Sequence, residues 1–441
     1  MTTTAAQSVV IFGGDPAGLA AALRLTCHGY QVTVIDYPLS VGNLTTRDDF
    51  PDTLEPFTVL GCHHATRSLL DFLAPSSQGP SETEIPLEFH LLDRSFVHYP
   101  RTSFPAPLHT WVNLLKFAGI PWKERWRLAS WVEQLWEGDE HLPADLEQRT
   151  ADEWLASIGQ NARTRRVVWN PLARWFTGNA LSTMSADAFV TSLRLFFLRT
   201  PSDSRISVVQ DSLQSRVIQA MTDKLAQLGA TLIRDPETIQ LRVERDQISG
   251  TRLGDGSLLR ADWYVAALSP HKLTPLLPER WLTRYAYFQQ LTELRSVDSA
   301  TFYVYAKQAC ATPRLILLND PSFHSILTTA AAPDRTVFSL VTADSQFAQA
   351  DPDANFDVIP LDLLRSLELI QPDCMISSIR RRTTPNGILL LKPGTKSHRP
   401  IQRSPIANLL IAGAWTDTGW PPNLESSIVS GNHCADAIAL H

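Results

Sequence analysis

The chain has 441 residues, 44% of them hydrophobic and 19% charged, which is the composition of a globular protein with room for two or three domains. Its formal net charge is −6, and basic residues occur only in short clusters such as Arg380-Arg381-Arg382, which argues against a nucleic-acid surface. We interpret that cluster as the solvated face or end of a strand. No apolar run reaches the roughly eighteen residues that cross a membrane, and no basic region precedes the first apolar segment, so neither a transmembrane nor an exported protein is expected.

The five cysteines lack the CxxC spacing of zinc sites and show no disulfide framework. This pattern suits a reducing compartment, so we expect a cytoplasmic protein without a metal site.

The first predicted element is a buried strand that leads into a glycine-rich corner at 13–18 and then into an alanine-rich helix. Such a corner binds the pyrophosphate of a dinucleotide, because free N–H groups and the dipole at the helix N-terminus favour an anion. Gly13 and Gly18 match the first and third glycines of the motif. Asp15 replaces the middle glycine, and with the proline after it forms a good helix cap, so its carboxylate competes with a phosphate for the helix donors.

A second short buried strand follows at 31–36 and ends at Asp36. A strand, helix and strand of about thirty residues that closes on an acid is typical of a Rossmann-type unit, in which the acid accepts hydrogen bonds from ribose. Asp36 also fits as a plain strand-end residue. The predicted fold class is α/β.

The later elements alternate between helical and strand-rich stretches. We predict a helix at 65–73, a hairpin at 88–99, helical stretches at 108–136, 151–198 and 217–229, strands at 230–233, 240–244, 250–253, 263–267, 299–305, 337–342 and 408–413, and a last helix at 424–440. This order predicts a nucleotide-binding unit formed by residues 1–75, 206–275 and 399–441. A mixed α+β substrate domain, largely helical at 76–205 and a sheet at 276–398, is interleaved with it.

Several motifs follow one another in a characteristic order: Leu60-Gly61-Cys62 with Ala65-Thr66, Pro105-Ala106-Pro107-Leu108-His109, Glu153-Trp154-Leu155, Trp169-Asn170-Pro171-Leu172, Arg399-Pro400, and 408–421 with Glu425 and Ser430-Gly431. Through them nearly the whole chain resembles the amine oxidase and phytoene desaturase superfamily, and within it the hydroxysqualene dehydroxylases. The resemblance implies an oxidoreductase that binds FAD non-covalently and reductively removes the hydroxyl of hydroxysqualene, giving squalene for hopanoids or other triterpenoids. Related desaturases introduce double bonds into long isoprenoids.

The resemblance also implies which residues contact FAD. The cofactor would extend from the first corner to the C-terminal strand and helix, along Gly13, Gly14, Asp15, Gly18, Asp36, Gly42, Gly413, Ala414, Leu424 and Glu425. Glu425 also fits as a first-turn residue that complements its own helix dipole. No catalytic acid or base is predicted.

Four positions depart from the family pattern close to the cofactor. Asp15 replaces a glycine, Val41-Gly42-Asn43 lacks an arginine near the diphosphate, the segment 52–56 lacks small and amide residues, and Ala414 replaces an aspartate. Each lost contact costs roughly 1 to 2 kcal/mol, and a micromolar affinity amounts to only about 8 kcal/mol. The alternative function is therefore a flavin-free, catalytically degenerate member that acts as a binding or scaffold subunit.

Cys62-His63-His64 carries groups that bind metals or attach a flavin covalently. Adjacent residues do not converge easily on one ion, so we expect no metal and interpret His63 as a replacement for a tyrosine that lines the flavin pocket.

Tryptophans and basic residues share one helical stretch, which contains Trp111, Trp122, Trp126, Trp131 and Trp136 with Lys116, Lys123, Arg125 and Arg127. This combination suits a helix at a bilayer surface, where a squalene-like substrate dissolves, although the same residues would also pack a substrate domain. Either interpretation favours a large apolar cavity. The expected partners are an apolar isoprenoid substrate, the inner face of the membrane and enzymes of the same pathway.

Overall fold

The computed structural model describes residues 7–36, 43–46, 54–73, 82–93, 95–137, 142–234, 239–310, 312–343 and 358–440. The α-helices are α1 (Pro16–Cys27), α2 (His64–Leu73), α3 (Leu108–Lys116), α4 (Trp122–Glu137), α5 (Ala151–Ser157), α6 (Ala162–Thr164), α7 (Asn170–Thr177), α8 (Ala186–Leu193), α9 (Ala220–Gln227), α10 (Pro270–Leu273), α11 (Glu279–Arg284), α12 (Ala286–Gln289), α13 (Val358–Ser366) and α14 (Leu424–Ala439). Turns of π-helix adjoin them at Arg165–Trp169, Arg194–Leu198 and Gln214–Gln219.

The strands are β1 (Ser8–Phe12), β2 (Gln31–Asp36), β3 (Asn43–Thr46), β4 (Phe57–Leu60), β5 (Glu82–Ile85), β6 (Leu87–His90), β7 (Phe96–His98), β8 (Ile206–Val209), β9 (Thr231–Arg234), β10 (Gln240–Glu244), β11 (Gln247–Arg252), β12 (Leu258–Leu259), β13 (Trp263–Ala266), β14 (Ser296–Ala306), β15 (Arg314–Leu317), β16 (Ser325–Ala332), β17 (Arg335–Thr342), β18 (Ile376–Leu389) and β19 (Leu409–Ile411).

A five-stranded parallel sheet in the order β19-β13-β1-β2-β9 forms the nucleotide-binding unit. Its strands come from all three segments predicted for that unit. The β1-α1-β2 unit is therefore confirmed, and the α/β fold class with it. Because β2 and β13 lie on opposite sides of β1, the sheet has a topological switch point at the carboxyl end of β1, where open α/β sheets bind ligands.

An eight-stranded, mostly antiparallel sheet in the order β3-β18-β14-β17-β16-β15-β6-β7 forms the floor of the second part of the molecule. β3 lies in the first segment predicted for the nucleotide-binding unit, yet it pairs with β18 in this second sheet. Helices from 108–198 pack over the sheet in one apolar cluster with buried Trp154, Trp169 and Phe189. The predicted helical stretch therefore forms a core beside the parallel sheet.

Two helices, α1 and α14, hold the chain ends together against the parallel sheet. A side chain at Gly431 in α14 would place its Cβ 2.2 Å from the carbonyl oxygen of Ala17 in α1. Glycine is therefore required at this crossing, and Arg24 and Asp436 form an exposed ion pair farther along the same two helices.

The interpretation of Arg380-Arg381-Arg382 as a solvated strand face is wrong. The cluster lies in β18, but Arg380 is only 4% exposed. Arg382 donates three hydrogen bonds, of 3.0, 2.7 and 2.6 Å, to the carboxylate of buried Glu55. Paired charges tolerate burial, whereas an isolated cation would stay in water.

Candidate active site

The glycine corner and the loop after β19 lie at the same edge of the parallel sheet. Gly13 has a φ of 104°, and a Cβ there would meet the carbonyl oxygen of Ala267 at 2.1 Å. A Cβ at Gly18 would lie 2.1 Å from the carbonyl oxygen of Gly13. Both glycines are thus needed to bring the N-terminus of α1 against the ends of β1 and β13. Gly14, between Gly13 and Asp15, is buried in the same turn.

Asp15 caps α1, as predicted. Its Oδ1 accepts a hydrogen bond of 2.9 Å from the backbone N–H of Gly18, which occupies one of the free donors of the helix N-terminus. Burial raises the pKa of Asp15 to about 7, against the lowering effects of helix N–H groups and of nearby Lys272. Below that pH the carboxyl is mostly neutral, so the corner suits a diphosphate. Above it, a negative charge stands beside the site.

The loop at Gly413 and Ala414 is held in place by a partly buried arginine, Arg399. Arg399 donates from Nη2 to the carbonyl oxygens of Ala414 and Thr416, at 3.1 and 2.6 Å, and from Nε to that of Trp415 at 3.2 Å. Burial lowers the pKa of Arg399 to about 10, which leaves it charged at neutral pH. The loop therefore keeps its shape although Ala414 has no carboxylate.

Removing the three hydrogen bonds from Arg399 to this loop should destabilise the protein. We expect Arg399→Met to lower the free energy of unfolding by about 2 to 3 kcal/mol, because three carbonyls lose a charged donor, and Arg399→Lys to recover part of the loss. Thermal denaturation is the measurement. Arg403→Met is the control, because Arg403 is exposed and makes one bond, to the carbonyl of Ala437. If Arg399→Met lowers the free energy of unfolding no more than Arg403→Met does, the stabilising role of Arg399 is contradicted.

The two predicted contacts on α14 point to different places. Leu424 lines a cavity of about 180 Å³ together with Cys62, His63 and Trp420. The carboxylate of Glu425 is instead directed at the start of α2: it accepts hydrogen bonds from the N–H groups of Ala65 and Thr66, both at 2.8 Å, and from Thr66 Oγ1 at 2.7 Å. Glu425 thus fixes α2 and positions the segment that carries His63.

The cavity beside Leu424, called the inner cavity here, is lined by aromatic side chains and uncharged polar groups. Burial raises the pKa of the Cys62 thiol to about 12 and lowers that of His63 to about 3, so both are neutral at physiological pH. The ring of His63 packs edge-on against Trp420, with centroids 5.8 Å apart. Such a site suits a flat ring or an apolar chain.

One further cavity adjoins the inner cavity, and a third adjoins that second cavity. A middle cavity of about 390 Å³ shares Leu195, Trp420 and Pro421 with it. An apolar cavity of about 60 Å³ shares Leu135 and Leu198 with the middle one. The middle cavity carries charged side chains in its walls: Glu147, Asp187, Arg194, Arg199, Lys396, Arg399 and Asp417. The three cavities lie next to one another between α14 and the α3–α4 segment.

Of the remaining predicted cofactor contacts, the structure describes Asp36 but not Gly42. Asp36 ends β2 in register with Arg234 of β9, which places its backbone at the carboxyl edge of the sheet. Gly42 lies outside the described residues, as do 52 and 53 of the altered segment. Sequence reasoning missed Lys272. Ser269-Pro270 after β13 indicates the start of a helix. A helix that follows a parallel strand begins at the same sheet edge as the glycine corner, so this pattern could have predicted that Lys272 lies near that corner.

No group of three or more His, Cys, Asp or Glu suited to a metal ion occurs within the described part of the chain. The five cysteines are free. Among the helices that the structure describes, none has the length and apolarity needed to cross a bilayer.

Comparison with known proteins agrees with this geometry. Residues 16–439 match the family of flavin containing amine oxidoreductases. The zeta-carotene desaturase of Synechocystis sp. is 23% identical over 334 residues, which cover 67% of this chain and 66% of the desaturase. The 15-cis-phytoene desaturase of Narcissus pseudonarcissus is 22% identical over 76% of this chain and 61% of its own length. The chain thus spans somewhat less than two thirds of the length of these relatives.

Among solved structures, an oxidoreductase from Methanosarcina mazei superimposes with a TM-score of 0.69 at 12% identity, covering 98% of this chain and 100% of that one. That likeness concerns the fold, whereas the family match concerns the sequence. The chain belongs to the flavin containing amine oxidoreductase family.

Proposed function

We propose that this enzyme reductively removes a hydroxyl group from a long isoprenoid alcohol, as the hydroxysqualene dehydroxylases that it resembles do. The observation that carries the proposal is the series of cavities. The inner cavity beside α14 has aromatic and uncharged polar walls. The apolar cavity, lined by residues such as Phe117, Ile120 and Phe197, lies on the far side of the charged middle cavity. The matched relatives are named for zeta-carotene and phytoene, which supports a substrate of this class.

In this reaction the C–O bond of the alcohol breaks and a C–H bond forms. The oxygen leaves as water, and the product has gained two electrons and two hydrogens and lost that water. Reduced FAD supplies a hydride when bound. The chain's own residues orient the alcohol and exclude bulk water, and neutral Cys62 and His63 avoid placing a charge against an apolar chain.

The chemistry is tested by mixing reduced holoenzyme, without oxygen, with an isoprenoid alcohol and, separately, with the matching hydrocarbon. We expect the alcohol to reoxidise the flavin and to yield the deoxygenated product. A flavin that is oxidised by neither compound, together with oxidised enzyme that desaturates the hydrocarbon, would instead assign the chain to the desaturases. A chain purified with added FAD that stays colourless and shows no thermal shift would favour the flavin-free alternative.

We also propose that the α3–α4 surface docks on an anionic bilayer. Trp122 and Trp126 are 55% and 49% exposed, and their rings pack edge to face with centroids 5.5 Å apart. Exposed Lys123 and Arg127 lie beside them, and cations with aromatic side chains favour an anionic membrane interface.

The same segment separates the bilayer side from the apolar cavity. Ile120 and Leu128 are buried and line that cavity. Trp122 and Trp126 lie between these two residues in the sequence, and their side chains are exposed on the protein surface. An apolar substrate dissolved in the bilayer would therefore have a short path into the protein.

Sedimentation with vesicles tests this surface. We expect the wild type to bind vesicles that contain phosphatidylglycerol more strongly than pure phosphatidylcholine, and Trp122→Ser combined with Trp126→Ser to lose about nine tenths of that binding. Trp136→Ser is the matched control, because exposed Trp136 lies between Glu133 and Glu137 at the acidic end of the same helix. Equal binding by the double variant and the wild type would refute the proposal.

A further inference from the structure

His63 has a buried hydrogen-bond donor without a partner. The side chain is 7% exposed, it lines the inner cavity, and its Nε2 makes no hydrogen bond. Leaving a buried polar group unsatisfied costs about 1 to 3 kcal/mol. A ligand that accepts a hydrogen bond from this nitrogen would remove that cost.

The protonation state of the ring follows from its other nitrogen. The backbone N–H of Leu60 points at Nδ1 from 3.4 Å, and because an amide N–H only donates, Nδ1 is the acceptor. The ring is neutral at physiological pH, as described above, so its one proton lies on Nε2. His63 therefore presents an N–H donor on the side of the ring opposite Leu60.

Ser192 and Asn423 are two of the other polar side chains that line the inner cavity. Ser192 Oγ donates to the carbonyl oxygen of Ala188 at 2.9 Å, and Asn423 Oδ1 accepts from the N–H of Ser426 at 2.9 Å. The Cys62 thiol stays protonated and is a weak donor. His63 Nε2 differs from the donors of Thr58 and Asn423 because it is fully buried and makes no hydrogen bond, whereas those two residues are only partly buried.

We propose that His63 Nε2–H donates a hydrogen bond to the hydroxyl oxygen of the substrate. A hydrocarbon has no acceptor for this bond, so His63 makes the cavity selective for an alcohol over the hydrocarbon of the same chain. His63 holds the oxygen in place and does not transfer its proton. The inference rests on the proposed function, because it assumes an isoprenoid ligand in this cavity.

The test measures binding of farnesol and of the matching hydrocarbon, farnesene, to holoenzyme by quenching of tryptophan fluorescence, since Trp175 and Trp420 line the cavity. We expect wild type to bind farnesol about tenfold more tightly than farnesene, the scale of one hydrogen bond. His63→Phe should abolish this preference while still binding both, and His63→Gln, which keeps an N–H donor, should retain most of it. Because the ring does not titrate near neutrality, the preference should be constant from about pH 6 to pH 9.

Three results would overturn the proposal: an undiminished preference in His63→Phe, no preference in wild type, or a changed flavin absorption spectrum in His63→Phe with the preference intact. The last result would assign the donor to the cofactor. Failure of the proposed reaction looks different, because then farnesol would bind with the expected preference and still leave the reduced flavin unoxidised.

Discussion

Asp15→Asn is expected to bind FAD about tenfold more tightly than wild type at about pH 8 and equally well at about pH 5. Burial raises the pKa of Asp15 to about 7, so above this pH a negative charge stands at the corner that receives the diphosphate. Asparagine caps a helix as well as aspartate does but has no charge. FAD titration, followed by flavin fluorescence at both pH values, measures the effect.

The matched control is Asp255→Asn. Asp255 lies in an exposed turn, and its pKa is lowered by hydrogen bonds from Ser257, so it is ionised throughout this pH range. This variant should follow wild type at both pH values. A wild-type affinity that does not fall as pH rises would show that Asp15 leaves the diphosphate undisturbed.

The ionisation of Asp15 should also change the free energy of unfolding. Because the pKa of Asp15 in the folded protein is raised above the ordinary value of an aspartate, its contribution to stability is fully present below about pH 4 and is lost as pH rises through about 7. We expect wild type to lose about 2 kcal/mol relative to Asp15→Asn over that range, allowing for partial solvent screening. Asp15→Ala should lose about 1 kcal/mol at pH 5 through the missing cap. Denaturant titrations at several pH values measure both, and parallel stability curves for the three proteins would contradict the assignment.

Glu425→Ala is expected to lower the free energy of unfolding by about 3 kcal/mol, the scale for removing a buried charged acceptor. Glu425 is 2% exposed, and its carboxylate accepts all three of the hydrogen bonds that join α14 to the start of α2. Without it, the N–H groups of Ala65 and Thr66 lose their acceptor, at a partly buried position for Ala65 and a fully buried one for Thr66. Chemical denaturation measures the loss.

Thr66→Val provides the control, since it removes only the hydroxyl donor. Alone it should cost about 1 kcal/mol, and in Glu425→Ala it should cost little, because the acceptor is already gone. Fully additive losses would mean that the two side chains do not act together.

The nucleotide-binding unit was predictable because its signals are local. The strand, corner and helix from β1 to α1 follow from hydrophobic pattern, glycines and a capping pair within twenty residues of sequence. The cap made by Asp15 follows from the same rules. Its raised pKa does not, because burial at the sheet edge arises only when β13 and α10 pack beside it.

The errors and omissions concern contacts between distant segments. Arg382 lies 327 residues from Glu55, so no local pattern could show that the arginine cluster is paired and buried. The carboxylate of Glu425 reaches α2 across 359 residues, and sequence reasoning offered only its own helix or the cofactor. The sequence predicts that His63 replaces a tyrosine of the flavin pocket, and this stays a prediction. Its unpartnered Nε2 follows only from the bond from Leu60 and from the walls of the inner cavity.

The most direct test of the proposed function is a single turnover in deuterated water without oxygen, in which reduced holoenzyme meets one equivalent of an isoprenoid alcohol. The product is extracted and its mass measured. We predict a deoxygenated product that carries one non-exchangeable deuterium on carbon, with the flavin fully reoxidised. Recovery of unchanged alcohol, or a deoxygenated product without deuterium, would contradict hydride transfer to the carbon that loses its hydroxyl.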